Sequence, residues 1–142
     1  MTSIAAWTGA DSRGPASLYI AADSRITFNG IYWDQGRKVF ASSCRPHIFG
    51  YWGRLDFPAL ALPLIVDRID RGFLAVGDQD GHTQIYQAVR QLWKGYPADQ
   101  IFNIVHGMRI GERMDSRFSI QVMTCKNGTW LTRPCQSRAL PR

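Results

Sequence analysis

The sequence predicts one α+β domain, and three observations lead to this expectation. The chain has 142 residues, a length that suits a single domain with its own hydrophobic core. Hydrophobic residues make up 45% of the chain and charged residues 20%, a balance typical of globular proteins. The apolar pattern changes from strand-like to helical in the middle of the chain and then changes back. The expected order is therefore strands, two helices, and strands again.

The N-terminal part is expected to be β-rich. SIAAW at 3–7 and LYIAAD at 18–23 are apolar enough for strands, and the glycines and proline of TGADSRGPAS between them favour a turn. GIYW and KVFAS then flank the turn DQGR, and HIFGYWG at 47–53 is a further apolar strand. These segments predict five strands, of which the first two form a hairpin.

Two helices are expected next. Asp56 is expected to cap the first helix, Pro58 to lie in its first turn, and Gly72 to end it. Between them, leucines and isoleucines occur at helical spacing among charged residues, as in a helix with one buried face. Residues 84–94 predict a second helix, which ends at GYP.

The C-terminal part returns to strands. QIFNIVHGMRI at 100–110 predicts one strand, and residues 117–133 alternate on both sides of Asn127-Gly128, a strong hairpin signal. The sequence PCQSRALPR that follows shows no periodic pattern. We therefore expect one domain over residues 1–133 and an irregular basic tail over residues 134–142.

The positive charge is concentrated near the C-terminus. Residues 1–108 hold ten Lys and Arg against nine Asp and Glu, whereas residues 109–142 hold seven against two. A solvated basic surface is the expected explanation, and nucleic-acid binding through residues 109–142 is an alternative. Because no aromatic-rich RNA motif accompanies the charge, nucleic acid is not expected as a partner.

Other features point to a cytoplasmic protein without a metal or cofactor. Cys44, Cys125 and Cys135 are odd in number and widely spaced, which favours a reducing compartment and no zinc motif. The N-terminus lacks a secretory signal, and the longest apolar run, residues 57–66, is too short to span a bilayer. The histidines, which lack metal-ligand spacing, are expected to be ordinary core or surface residues: His47, His82 and His106.

The tetrapeptide ADSR occurs twice, at residues 10–13 and at residues 22–25. The first copy lies at the tip of the predicted hairpin, and the second lies where a strand ends. The two copies therefore occupy different structural positions and are not a structural repeat, and the first copy is expected to serve the surface turn.

Thr2 is the candidate nucleophile. Removal of Met1 would place its hydroxyl beside a free α-amine, whose pKa in model peptides is about 7.7–8.0. Such an amine can act as the base for the hydroxyl of the same residue. A lysine nearby would lower the pKa of the amine, and an aspartate would keep that lysine charged, which are roles for Lys38 and Asp23. The alternatives are a frayed terminus and an ordinary ion pair at a strand end.

These residues resemble a known family. IAADSR, then GRKVF with its lysine fifteen residues after the aspartate, then IFGYWG and an amphipathic helix resemble the proteasome β-subunit and the bacterial proteasome-like peptidase subunit. Members of that family are N-terminal-nucleophile hydrolases. The resemblance covers about residues 2–72 and continues weakly through the final hairpin. It implies an αββα sandwich, here expected to be truncated at the C-terminal end because family members continue past that hairpin.

The resemblance implies a threonine-type peptidase or amidohydrolase without cofactor. Its implied catalytic residues are Thr2, Asp23, Arg25 and Lys38, and backbone N–H groups near Trp52 and Gly53 would form the oxyanion hole. It also implies a peptide or protein substrate, a ring-shaped homo-oligomer and an ATP-dependent unfoldase as partner. The alternative is an inactive or truncated subunit with an assembly role, which the bulky Trp52 favours.

Overall fold

The computed structural model describes residues 3–97 and 99–135. Its elements in chain order are β1 (Ile4–Asp11), β2 (Gly14–Ala22), β3 (Ile26–Phe28), β4 (Ile31–Trp33), β5 (Val39–Ala41), β6 (His47–Gly53), α1 (Asp56–Asp70), α2 (Gly81–Trp93), β7 (Ile101–Ile110), β8 (Arg117–Lys126) and β9 (Thr129–Pro134). A short 3₁₀ turn, Arg113–Asp115, lies between β7 and β8. The predicted order of strands, two helices and strands is confirmed.

The centre of the domain is a five-stranded antiparallel sheet in the order β5-β6-β7-β8-β9. The middle strand β7 pairs with β6 from His47↔Met108 to Gly53↔Phe102 and with β8 along its whole length. Between β8 and β9, Asn127 and Gly128 have φ values of 49° and 79°. Two successive residues with positive φ are what a tight two-residue hairpin requires, so the Asn-Gly hairpin is confirmed.

Both helices lie on one face of this sheet. The main hydrophobic core joins apolar residues of α1 and α2 to the sheet residues that point toward them. Its most deeply buried members include Leu62, Ile65, Ile85, Val89, Phe49 and Phe102. This helical face therefore carries the larger part of the apolar burial that stabilises the domain.

The N-terminus of α1 is capped by a different residue from the one expected. Leu55 is the N-cap, and its side chain makes no capping hydrogen bond. Instead, the buried Gln100 accepts the Phe57 N–H through Oε1 at 3.4 Å and donates from Nε2 to Asp56 Oδ2 at 3.1 Å. The other end is as predicted, because Gly72 follows the helix with a φ of 74°.

The hairpin β1–β2 covers the opposite face of the sheet. Its residues pack on a second apolar cluster formed by Val105, Ile120 and Val122. The two layers approach closely at Gly50, where a Cβ atom would lie 2.5 Å from Ile4 Cδ1. The contact thus depends on glycine in the sheet.

The expected αββα sandwich is wrong. The described residues form a small, mostly antiparallel β domain with three layers, which are the two helices, the five-stranded sheet and the hairpin β1–β2. That sandwich needs a helical layer on each outer face, but here both helices pack on the same apolar face. In the described part of the chain no helix covers the hairpin, where Trp7 and Tyr19 stack half-exposed with ring centroids 5.3 Å apart.

Residues 136–142, most of the predicted tail, lie outside the described residues. Strand β9 runs to Pro134, one residue into the predicted tail. Neither α1 nor α2 is long and apolar enough to cross a membrane, and they are the two α-helices among the described residues.

Replacing Gly50 by alanine should lower the free energy of unfolding by about 1–3 kcal/mol, because the new methyl group overpacks the contact between the hairpin and the sheet. Gly95→Ala is the matched control, since nothing lies within 4 Å of a Cβ there. It should change stability by less than about 0.5 kcal/mol. Urea denaturation of the two variants checks this, and equal losses would contradict the described packing.

Candidate functional site

Lys38 is a buried charged residue in the N-terminal half of the chain. It directly precedes β5 and is only 5% exposed. Its ammonium group donates hydrogen bonds to Asp23 Oδ1 and to the backbone carbonyl of Arg25. Because a buried ammonium is costly unless it is paired, these contacts fix the position of the side chain.

Asp23 links Lys38 to the start of the chain. It follows β2, and its second carboxylate oxygen, Oδ2, accepts the backbone N–H of Ser3 at 2.6 Å. The hydrogen bond from Lys38, followed by that from Ser3, holds the pKa of Asp23 below its ordinary value. Asp23 is therefore a carboxylate at neutral pH and presents a negative charge to the side chain of Lys38.

Thr2, the expected nucleophile, lies outside the described residues, as does Met1. Ser3 is the residue that follows it, and its backbone N–H contacts Asp23. Ser3, the first described residue, thus lies beside the ion pair of Asp23 and Lys38.

Arg25 contributes its backbone rather than its side chain to this group. Its guanidinium turns away to form two hydrogen bonds with Asp34, at 2.6 and 3.0 Å, and both side chains are more than half exposed. The carbonyl of Arg25 accepts from Lys38. The structure therefore places the carbonyl of Arg25 at Lys38 and its guanidinium at Asp34.

A cavity of about 380 Å³ lies beside Lys38 and includes both residues expected at the oxyanion hole, Trp52 and Gly53. Gly53 has a φ of 94°, and a Cβ there would lie 2.8 Å from the carbonyl oxygen of Ile101, so glycine is required. The remaining lining residues are Arg25, Ile26, Thr27, Tyr51 and Leu55. Of these, the sequence predicted only Arg25 as a site residue. Polar and apolar groups therefore share one concave surface, as in small-molecule and peptide sites.

The first ADSR copy makes its contacts within its own turn and not with the residues of this site. Asp11 accepts hydrogen bonds from the backbone N–H of Arg13 at 2.7 Å and from its guanidinium at 3.1 Å. Both residues are exposed at the β1–β2 turn. As predicted, this copy serves the turn, whereas Asp23 contacts the buried lysine.

The three histidines form a row that sequence reasoning missed, in which His47 and His106 are buried and His82 is half-buried. His106 Nε2 lies 3.1 Å from His47 Nδ1, and His106 Nδ1 lies 2.8 Å from His82 Nδ1. At the end of the row, His82 Nε2 lies 2.8 Å from the hydroxyl of Ser119. No spacing signal identifies this row, because β6, β7 and the first turn of α2 each supply one ring. As neutral rings, His82 and His106 can each donate to one neighbour and accept from the other.

The row is neutral at physiological pH. Burial lowers the pKa of His106 well below its ordinary value, with further lowering by the two neighbouring rings. The pKa of His82 falls to about 4, again chiefly because of burial. For His47 burial lowers the pKa, nearby Asp78 opposes the shift, and Arg45 reinforces it. Protonation of any ring would place a charge in a poorly hydrated network.

Comparison of the chain with protein-family models, curated proteins and solved structures gives no match.

The histidine row predicts that the protein loses stability between about pH 6.5 and pH 4. Its pKa values in the folded state are lowered, so the unfolded chain binds protons first as the pH falls and unfolding becomes more favourable. Urea midpoints at pH 7.5 and pH 5.0 measure the effect. His82→Gln should reduce the difference between the two midpoints.

Asp70→Asn is the control for this measurement. The pKa of Asp70 is lowered to about 2, first by the Ser42 hydroxyl and then by Ser43, so Asp70 is ionised at both pH values. The substitution should shift both midpoints and leave their difference unchanged. A wild-type protein equally stable at pH 7.5 and pH 5.0 would contradict the neutral row.

Proposed function

We propose that the chain is a threonine-type N-terminal-nucleophile amidohydrolase that cleaves peptide bonds. The observation that carries the proposal is the position of Lys38. Its buried ammonium group contacts Asp23, which also holds Ser3, the residue after Thr2. Lys38 also lines the cavity that contains Trp52 and Gly53. The proposed kinship with proteasome-like peptidases rests on these site residues.

In the proposed reaction Thr2 supplies both nucleophile and base after Met1 is removed. Its hydroxyl oxygen attacks the substrate carbonyl carbon, and its α-amine takes the hydroxyl proton. The carbon–nitrogen bond of the substrate then breaks, and the proton passes to the leaving amine. Water, deprotonated by the same amine, hydrolyses the resulting ester, which releases the acid and restores Thr2.

Lys38 and Asp23 serve this chemistry electrostatically. A positive charge near the Thr2 amine favours its neutral form, which can accept a proton. Asp23 holds the ammonium in place and remains ionised itself. Backbone N–H groups near Trp52 and Gly53 are the proposed donors to the oxyanion that forms during attack.

The same cavity is the proposed site for a substrate side chain. Ile26, Trp52 and Leu55 give it an apolar wall, and Thr27 adds a hydroxyl group. Its volume of about 380 Å³ is large enough for one amino-acid side chain. This composition favours peptides with an apolar residue beside the scissile bond.

Self-association is part of the proposal, with a ring-shaped homo-oligomer in the cytoplasm and an ATP-dependent unfoldase as partner. The hairpin β3–β4 supports it because four large apolar side chains there are mostly exposed, at 57–72% of their surface: Phe28, Ile31, Tyr32 and Trp33. We call this hairpin surface the apolar arm. Contiguous exposed apolar groups mark protein contact sites more often than free surface.

The second candidate function is an inactive subunit that only assembles. The apolar arm favours it equally, since that surface needs no catalysis. The two candidates differ in whether the wild-type protein, freed of Met1, hydrolyses peptides.

The enzyme proposal predicts that intact mass shows loss of Met1 and that fluorogenic peptides are hydrolysed. Lys38→Ala should reduce turnover by about 10²-fold or more, because the amine loses its electrostatic support. Lys38→Arg should not rescue it, since a planar guanidinium does not replace a compact ammonium. Turnover that persists in Lys38→Ala would rule out this mechanism, and retention of Met1 in the native host would rule out the nucleophile.

The two ADSR copies supply a matched pair of variants for this assay. Asp23→Ala leaves Lys38 buried without its carboxylate and should lose both turnover and thermal stability. Asp11→Ala removes only the exposed turn contacts and should leave turnover and melting temperature unchanged. Equal effects of the two substitutions would contradict the assigned roles.

The self-association proposal predicts that the wild-type protein sediments as an oligomer. The double substitution Ile31→Lys and Trp33→Lys should shift it to the monomer, because two charges would then have to be buried at the contact. Leu60→Lys is the control, since Leu60 is 68% exposed on α1, away from the apolar arm. A monomeric wild type at micromolar concentration, or equal disruption by the control, would contradict the proposal.

A further inference from the structure

Four arginines line a second cavity at the end of β6 opposite to Trp52 and Gly53. The cavity has a volume of about 510 Å³ and lies between the β1–β2 turn and the ends of strands β6, β7 and β8. Its arginines come from four separate segments, which are the β1–β2 turn, the loop before β6, the end of β7 and the turn before β8. In that order they are Arg13, Arg45, Arg109 and Arg113. Four arginines that are far apart in the sequence therefore line one cavity.

The loop that carries Arg45 is held by several hydrogen bonds. Asp70 at the end of α1 accepts the backbone N–H groups of Ser43 and Cys44 and the hydroxyls of both serines in the loop. Ser42 Oγ in turn accepts the Arg45 N–H at 2.9 Å. On the sheet side, the Arg109 N–H donates to the carbonyl of Pro46 at 3.1 Å. These contacts join the segments of two of the arginines.

The turn that carries Arg113 is also fixed. Asp78 Oδ2 accepts the N–H of Gly111 at 3.2 Å, and the Ser116 N–H donates to the carbonyl of Arg113 at 3.3 Å. Arg113 itself has a φ of 52°, a left-handed conformation that is uncommon for a residue with a side chain. The backbone thus holds this arginine at the cavity despite an unfavourable local conformation.

The cavity carries an excess of positive charge. Asp11 is the one carboxylate in its lining, and it pairs with Arg13 at 3.1 Å. The side chains of Arg45, Arg109 and Arg113 form no hydrogen bond or ion pair with any residue in the described ranges. The nearby acidic residues, which do not line the cavity, are Asp70, Asp78, Glu112 and Asp115. Three guanidinium groups that lack protein carboxylates attract anions to one concave surface.

We propose that this cavity binds a small phosphorylated organic molecule. Guanidinium groups match phosphate oxygens with paired hydrogen bonds, and two serines in the lining can donate further ones: Ser17 and Ser116. Pro15, Leu18 and Phe118 provide apolar surface for the organic part of the ligand. The cavity volume lies in the range of small-molecule sites. A bounded cavity favours such a ligand over a nucleic-acid strand, which needs an extended surface.

Calorimetric titration of the full chain with sodium pyrophosphate at about 50 mM salt tests the proposal, because screening is weak there. Arg109→Gln and Arg113→Gln should each weaken binding by about tenfold or more, through loss of charge-assisted hydrogen bonds. Asp11→Asn should strengthen binding, since it frees Arg13 from its carboxylate. Melting curves of the variants should match the wild type because these side chains are exposed.

Arg71→Gln is the control, because it removes the same charge from an arginine that pairs with Asp67 on α1. It should change the Kd by less than about twofold. Absence of pyrophosphate binding at millimolar concentration, or an equal loss in the control, would overturn the site. A single-stranded oligonucleotide that binds more tightly and depends on Arg109 and Arg113 would overturn the ligand class. Neither result bears on turnover, since Lys38 does not line this cavity.

Discussion

The position of the N-terminal segments depends on one buried ammonium group. Lys38 joins the end of β2, through Asp23, to the carbonyl of Arg25 before β3. Asp23 extends this connection to Ser3, at the start of β1. Since a buried charge without its partner is strongly destabilising, these segments have little freedom to move apart. The wall of the 380 Å³ cavity is therefore built on an electrostatic contact, whereas the helical face is built on apolar burial.

Most elements of the fold could be predicted because their signals are local. The strand His47–Gly53 was predicted at its observed bounds, and Gly72 ends α1 as expected. The layer arrangement could not be predicted in the same way, because an amphipathic helix indicates that one face is buried but not which face of a sheet buries it. The cap of α1 was missed for a similar reason, since Gln100 is far from Phe57 in the sequence.

In the candidate site, too, some contacts could be predicted from local sequence signals and others could not. Asp23 and Lys38 were predicted together, and the structure brings them into contact, because strand ends flank both residues. The side chain of Arg25 instead pairs with Asp34, nine residues away. No pattern in the sequence indicates this ion pair. The histidine row and the arginine cavity arise only from strand register and loop docking. A scan for ligand spacing therefore detects neither of them.

The alternation of side chains along strand β7 restricts the insertions and deletions that this protein can accept. Its successive side chains face opposite sides of the sheet, with His106 in the histidine row on the helical side and Val105 and Gly107 on the hairpin side. One inserted or deleted residue in β7 would exchange these two sides along the strand. The histidine row, the arginine cavity and the close approach of Gly107 to Leu18 of the hairpin would then be lost in a single step. A change in the length of β7 is therefore more disruptive than a substitution at one of its positions.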